Sequence, residues 1–205
     1  MTGSELAFQL GAEHRLQLVF LEPLFEEANR CRRLITTIMR ALDLAQIGSA
    51  IVTLPGTGES VTSVSTVTIS DWREAAASIK ADAIASLRGG SLFDNDIKAK
   101  CYWRFAPETG NRIVRDLKRV MQDNGDKPLY AGHPLSTVFL DALETATPSP
   151  VPKLRTVRLE SDAADADLKI PGNPLWRRAE PGEDPELAAL LAADLAQWIK
   201  QCVAS

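Results

Sequence analysis

The chain has 205 residues, 45% of them hydrophobic and 24% charged, enough to bury one sizeable core and too few for two comfortable domains. A net charge of −4, with no basic run longer than Arg30–Arg33, speaks against a nucleic-acid partner or an anionic membrane surface. No stretch approaches the ~20 apolar residues that span a bilayer, and the N-terminus lacks a basic segment leading into an apolar one, so a soluble, cytoplasmic protein is expected.

Residues Arg15–Leu21 form a short apolar run that reads as a central strand, ended by Pro23. From about Glu27 to Ala45 the spacing is helical, with Ala28, Cys31, Ile35, Ile38, Leu42 and Ala45 on one stripe. Gly48 is expected to break that helix, and Ser49–Leu54 reads as the next buried strand, running into Pro55-Gly56-Thr57-Gly58-Glu59-Ser60. That loop lacks the lysine of a phosphate-binding loop, and its glycines suit a turn. Val61–Ile69 fits either a strand or a loop. Ser70 is a candidate N-cap for a helix to about Lys80.

The stretch Ala81–Leu92, ADAIASLRGGSL, reads as a buried strand, a tight turn and the first turn of a helix. Lys100–Phe105 reads as a strand, and a helix after Thr109-Gly110 places Ile113, Leu117, Val120 and Met121 on one face. Prolines and glycines punctuate the chain beyond Asp123, around a helix from about Ser136 to Thr145. Lys153–Leu159 and Asp167–Ile170 read as strands, and Asp184-Pro185 opens a final helix with Leu187, Leu191, Leu195, Trp198 and Cys202 on one stripe. Alternating strands and helices imply an α/β class, with a mostly parallel sheet covered on both faces. One domain over 1–205 is expected, with an excursion at about 107–152. Cys31, Cys101 and Cys202 are far apart and odd in number, so buried free thiols are expected, with no disulfide, metal or cofactor.

Two features are arranged as in α/β-hydrolases: a strand ending in P-G-x-G-x-S, Pro55–Ser60, and a later strand-turn-helix with small residues, Ser86 and Gly90, two positions either side of the apex. More narrowly, the chain resembles the exosortase-system-associated hydrolases, a bacterial α/β-hydrolase-like group encoded near exopolysaccharide and protein-sorting genes. The resemblance rests on Glu22–Arg33, on the L-R-x-G turn Leu87–Gly90, and on Trp103–Gly110, Ala131–Ser136 and Pro171–Trp176, in matching order. It implies an α/β-hydrolase-like fold with a reduced lid and a link to exopolysaccharide or surface-protein export. The chain departs from the group's pattern at Leu24, Arg30 and Cys31.

A Ser-His-acid mechanism needs a hydroxyl at the turn's apex and an imidazole after the last strand. The apex here is Arg88, which is neither nucleophile nor base at accessible pH, and the stretch Gly172–Arg178 contains no histidine. Ser86, Ser91 and His133 are the weak catalytic candidates that remain. The ordinary roles of the serines are sheet packing and capping, and His133 sits in a Gly-His-Pro turn. Glu160 and Asp162, after the Lys153–Leu159 strand, are the candidate orienting acids and read as solvated loop charges.

Arg88 has two readings. With the backbone at Gly89 it could hold a small carboxylate or phosphate, with Phe25, Glu26, Trp103 and Trp176 nearby. Alternatively it forms an internal ion pair with Glu26 or Glu27, delivered to the same sheet edge by an adjacent parallel strand; this is the favoured reading. Three functions are compatible with these residues: a non-classical or non-catalytic accessory or binding protein, in effect a pseudoenzyme; an esterase-like hydrolase using an unrecognised constellation such as His133 with Ser86 or Ser91; or an interaction module whose proline-rich second half meets a homodimer mate or another protein.

Overall fold

The structure is a computed structural model that describes residues 5–58, 60–125 and 128–204. Seven strands form one sheet: β1 (Glu5–Leu10), β2 (Leu16–Leu21), β3 (Ile47–Thr53), β4 (Ala83–Leu87), β5 (Cys101–Phe105), β6 (Leu154–Leu159) and β7 (Leu168–Ile170). Their spatial order is β1-β3-β2-β4-β5-β6-β7, and every pairing is parallel except β1 with β3. The expected α/β architecture is therefore present. Strand β1 is an addition that residue pattern alone does not reveal. Its six residues pair only at the sheet edge and carry no long apolar run.

The chain leaves β2 toward β3 on one side and then returns to β4 on the other. Ligands in open α/β sheets gather at such a reversal, beyond the carboxyl ends of the strands. The loops after β2 and β4 meet there. Strands β4 and β5 are buried throughout, as expected of strands covered on both faces.

Helices α1 (Glu26–Leu44) and α5 (Pro185–Ala204) cover one face, enclosing Ile35, Ile38, Leu42, Leu191 and Leu195 with Trp103 and Phe105. Helices α2 (Ile69–Ala77), α3 (Gly110–Arg119) and α4 (Thr137–Glu144) cover the other, around Trp72, Phe93 and Phe139. Asp184 caps α5, its Oδ1 accepting from Leu187 N–H at 3.0 Å. No helix among the described residues is long and apolar enough to cross a membrane.

Several local expectations are corrected. Gly48 does not end α1; it lies inside β3, where a Cβ would collide with Gly11 O, and the helix stops at Ala45 and Gln46. The cap of α2 is Thr68 rather than Ser70, because Thr68 and Asp71 bond reciprocally in a capping box, and the helix ends at Ala77 instead of Lys80. The undecided stretch 61–69 is a loop with one short turn of 3-10 helix at Val64–Thr66. Val120 and Met121 do not share the buried face of α3 but lie exposed beyond its end.

Candidate functional site

The turn after β4 has the backbone of a nucleophile elbow. Arg88 adopts φ 50°, a left-handed conformation rare outside glycine and characteristic of the strained apex between strand and helix. A Cβ on Gly90 would come within 2.5 Å of Leu21 O and 2.6 Å of Glu22 O, so only glycine lets the turn approach β2. Gly89 is similarly hemmed in, by Ile113 and Leu24. The first helical turn expected there is present, but as 3-10 rather than α-helix. The chain makes only short 3-10 turns at Arg88–Leu92 and Asp94–Asp96 before β5.

The Arg88 side chain turns to the protein's own carboxylates. Its Nε and Nη2 donate to Glu27 Oε2 and Oε1 at 3.1 and 3.0 Å, a bidentate fork, and its Nη1 donates to Glu108 Oε2 at 3.1 Å. Nη1 also lies 3.4 Å from Ala106 O, and the guanidinium carbon sits 4.7 Å from the Trp176 ring centroid. Burial works against the charge, but Glu27 and then Glu108 outweigh it and hold the arginine's pKa above its ordinary value. Three loops, after β2, β5 and β7, thus converge on residue 88.

The partner is Glu27, not Glu26, and Glu108 is a second one that sequence reasoning missed. The rule that pointed to Glu27 reaches Glu108 as well, since β5 is also a parallel neighbour of β4 and its loop opens on the same edge. Arg112 Nε lies 3.4 Å from the same Glu108 oxygen.

The serines are both occupied. Ser86 Oγ donates to Asp94 Oδ2 at 2.7 Å, inside a buried network in which Arg104 grips both oxygens of Asp94 at 2.8 and 2.7 Å. Ser91 Oγ does not cap the turn as expected but donates back to Arg88 O, three residues earlier, at 2.7 Å. His133 packs beside Phe25 with centroids 5.4 Å apart and ring planes tilted by 52°, and its Nε2 lies 3.8 Å from Glu26 Oε1. No hydrogen bond joins it to either serine. His14 is held by Asp43, with Nε2 to Oδ1 at 2.8 Å; these two and Glu13 bring ligand atoms within 4.8 Å of one another, in the turn before β2 and along α1.

Of the candidate acids, Asp162 is not simply solvated: it accepts from Arg158 Nη1 at 2.6 Å and from Ala164 N–H at 3.0 Å. Burial raises its pKa, but those partners prevail and leave it below the usual range. Trp176 lines the cleft over Arg88, whereas Trp103 is a core residue whose Nε1 donates to Asp194 Oδ2 at 2.8 Å, which corrects its placement at a pocket edge. All three cysteines are buried and none is in a disulfide, and burial pushes the Cys31 thiol up to about 12.

Two cavities open at this edge. A cleft of about 380 Å³ lies over Arg88, Glu27, Glu108 and Trp176, with Arg30, Arg112 and Arg177 among its charged walls. A second, of about 340 Å³, lies between the loops after β2 and β3, and shares Leu24 and Phe25 with the first as a common wall. Glu59, in the loop after β3, lies outside the described residues.

No family model matches the chain, and no curated protein matches it significantly. Solved structures do. Est1E from Butyrivibrio proteoclasticus, with ferulic acid bound, superposes with a TM-score of 0.63 at 14% identity, covering 99% of this chain and 96% of that one. The fold is that of the α/β-hydrolases. Mouse alpha/beta hydrolase domain-containing protein 10 superposes at 0.61 with 10% identity, covering 97% and 93% of the two chains, and a Paleococcus ferrophilus monoacylglycerol lipase at 0.55 with 13% identity, covering 97% and 99%. On this scaffold Arg88 stands at the apex of the tight turn after β4.

Proposed function

We propose that this protein is a non-catalytic accessory or binding protein on an α/β-hydrolase scaffold, with its elbow converted from a reaction centre to a structural one. The observation that carries this reading is the Arg88 clamp. A guanidinium held by Glu27 and Glu108 has neither a nucleophilic electron pair nor the ability to act as a base at accessible pH, and it closes the position a nucleophile would need. The engagement of Ser86 with Asp94, and of Ser91 with a backbone carbonyl, supports the same conclusion.

The cleft over Arg88 is the binding site in this reading. Because Arg88 is neutralised from within, a small anionic ligand would be met by the outer cations Arg30, Arg112 and Arg177. The resemblance to the exosortase-associated group adds the setting: a role beside bacterial exopolysaccharide or surface-protein export. A panel of p-nitrophenyl acetate, butyrate and octanoate tests the proposal. No turnover above a heat-denatured control is expected, and turnover abolished by His133→Ala overturns it.

A further inference from the structure

The second cavity carries an inference that does not depend on what happens at residue 88. Its walls mix an aliphatic side, from Leu21, Leu24, Val52, Leu54 and Val64, with polar groups from Asn29, Thr53 and Thr57. Into this setting the loop after β2 brings Glu22, whose side chain is only 9% exposed, and α1 brings Arg32. Arg32 Nη2 donates to Glu22 Oε2 at 3.1 Å and its Nε lies 3.0 Å from Oε1, yet no donor meets Oε1 in hydrogen-bonding geometry. Burial pushes the Glu22 carboxyl up to about 6 even against the pull of Arg32. On the same cavity, His133 Nε2 is buried and likewise without a hydrogen-bond partner.

Buried polar atoms are almost always paired, and leaving one unpaired is costly. Among the described residues, Glu22 Oε1 has only the misaligned Arg32 Nε beside it, and the nearest charge to His133 Nε2 is Glu26 Oε1 at 3.8 Å, so two polar atoms of this one cavity retain capacity for a hydrogen bond from outside the chain. The size suits a small organic molecule, since binding pockets begin near about 300 Å³. We propose that this cavity binds an uncharged small molecule with an apolar body and a hydroxyl group, an aliphatic or aromatic alcohol.

The chemistry selects that class. At the Glu22-Arg32 pair the two charges neutralise each other, so an anion meets the carboxylate and a cation the guanidinium with no net attraction to offset desolvation, and Glu26, 3.8 Å from His133 Nε2, further disfavours an anion. Glu22 Oε1 accepts only, which calls for a donor; a hydroxyl supplies one, and can serve His133 Nε2 in either tautomer because it both donates and accepts. The aliphatic wall takes the rest.

Benzyl alcohol is the probe, with benzoate and benzylamine as charged matches of nearly equal size, read by protein-observed NMR titration of the full chain. Saturable shifts are expected at the amides of residues 22–29, 52–58 and 133, with benzoate and benzylamine at least tenfold weaker. Two variants leave the core intact. Asn29→Trp, at an exposed position on the rim, is expected to block binding. His133→Phe keeps the ring beside Phe25 but removes the nitrogen, and is expected to weaken binding roughly tenfold, the scale of one hydrogen bond. The proposal is overturned if no probe binds at millimolar concentration, if benzoate or benzylamine binds as tightly as the alcohol, or if Asn29→Trp binds like the wild type. Because esterase turnover is not the readout, failure here leaves the elbow's role untouched.

Discussion

Arg88 holds a strained backbone conformation and a buried charge, each costly alone, and they are tolerated because Glu27 and Glu108 answer the charge in full geometry. Removing the arginine strands two carboxylates, one of them with a side chain 7% exposed, so Arg88→Met is expected to cost about 3–5 kcal/mol in urea unfolding. Adding Glu27→Gln and Glu108→Gln to that variant should return much of the loss; a triple variant less stable than Arg88→Met contradicts the clamp. Glu22 provides a pH signature of the opposite kind from an ordinary paired acid. Its folded pKa, about 6, stands above the usual 4.5, so the folded state holds its proton more tightly. Stability linked to Glu22 is therefore full below about pH 4.5 and falls as pH rises through 6, by about 2 kcal/mol, and Glu22→Gln should remove that slope. The Glu27 partnership was legible because a carboxylate two loops away opened on the same sheet edge. The orphaned atoms of Glu22 and His133 were not, since satisfaction is a property of three-dimensional geometry and leaves no mark on residue order.

At the scale of elements, the elbow keeps its strand and turn, with 3-10 rather than α-helix after them. The segment after the turn is tied to the sheet by the Ser86-Asp94-Arg104 network, with Arg104 also reaching Ser149 O. Asp94 is fully buried, so Asp94→Ala would leave Arg104 uncompensated and should cost about 3–5 kcal/mol, visible as an early thermal transition. The capping box on α2 is a milder case: Thr68→Ala is expected to cost about 1 kcal/mol. Strands β2, β4 and β5 were readable from their apolar runs, and α1 and α5 from their stripes. Strand β1 was not, because an antiparallel edge strand buries less and shows no such run; nor was the true start of α2, where Thr68 and Ser70 are both competent caps and only the return bond from Asp71 decides between them.

For the whole molecule, the structure keeps the α/β-hydrolase frame while the groups that would run its chemistry are engaged in holding it together. Fold does not by itself confer an activity, and the proposed non-catalytic role rests on the engagement of Arg88, Ser86 and Ser91. A direct corollary is that Arg88→Ser should not create an esterase: it would restore a hydroxyl at the apex, but the stretch 172–178 after β7 offers no imidazole to activate it. Turnover by that variant more than tenfold above the wild type would show that a base is within reach after all. The measurement that bears most directly on the central claim is intact-mass analysis of the wild-type protein after incubation with a fluorophosphonate, which labels activated serines. No adduct is expected, because Ser86 and Ser91 are bonded to Asp94 and to Arg88 O; a stoichiometric adduct mapping to either serine would contradict the account.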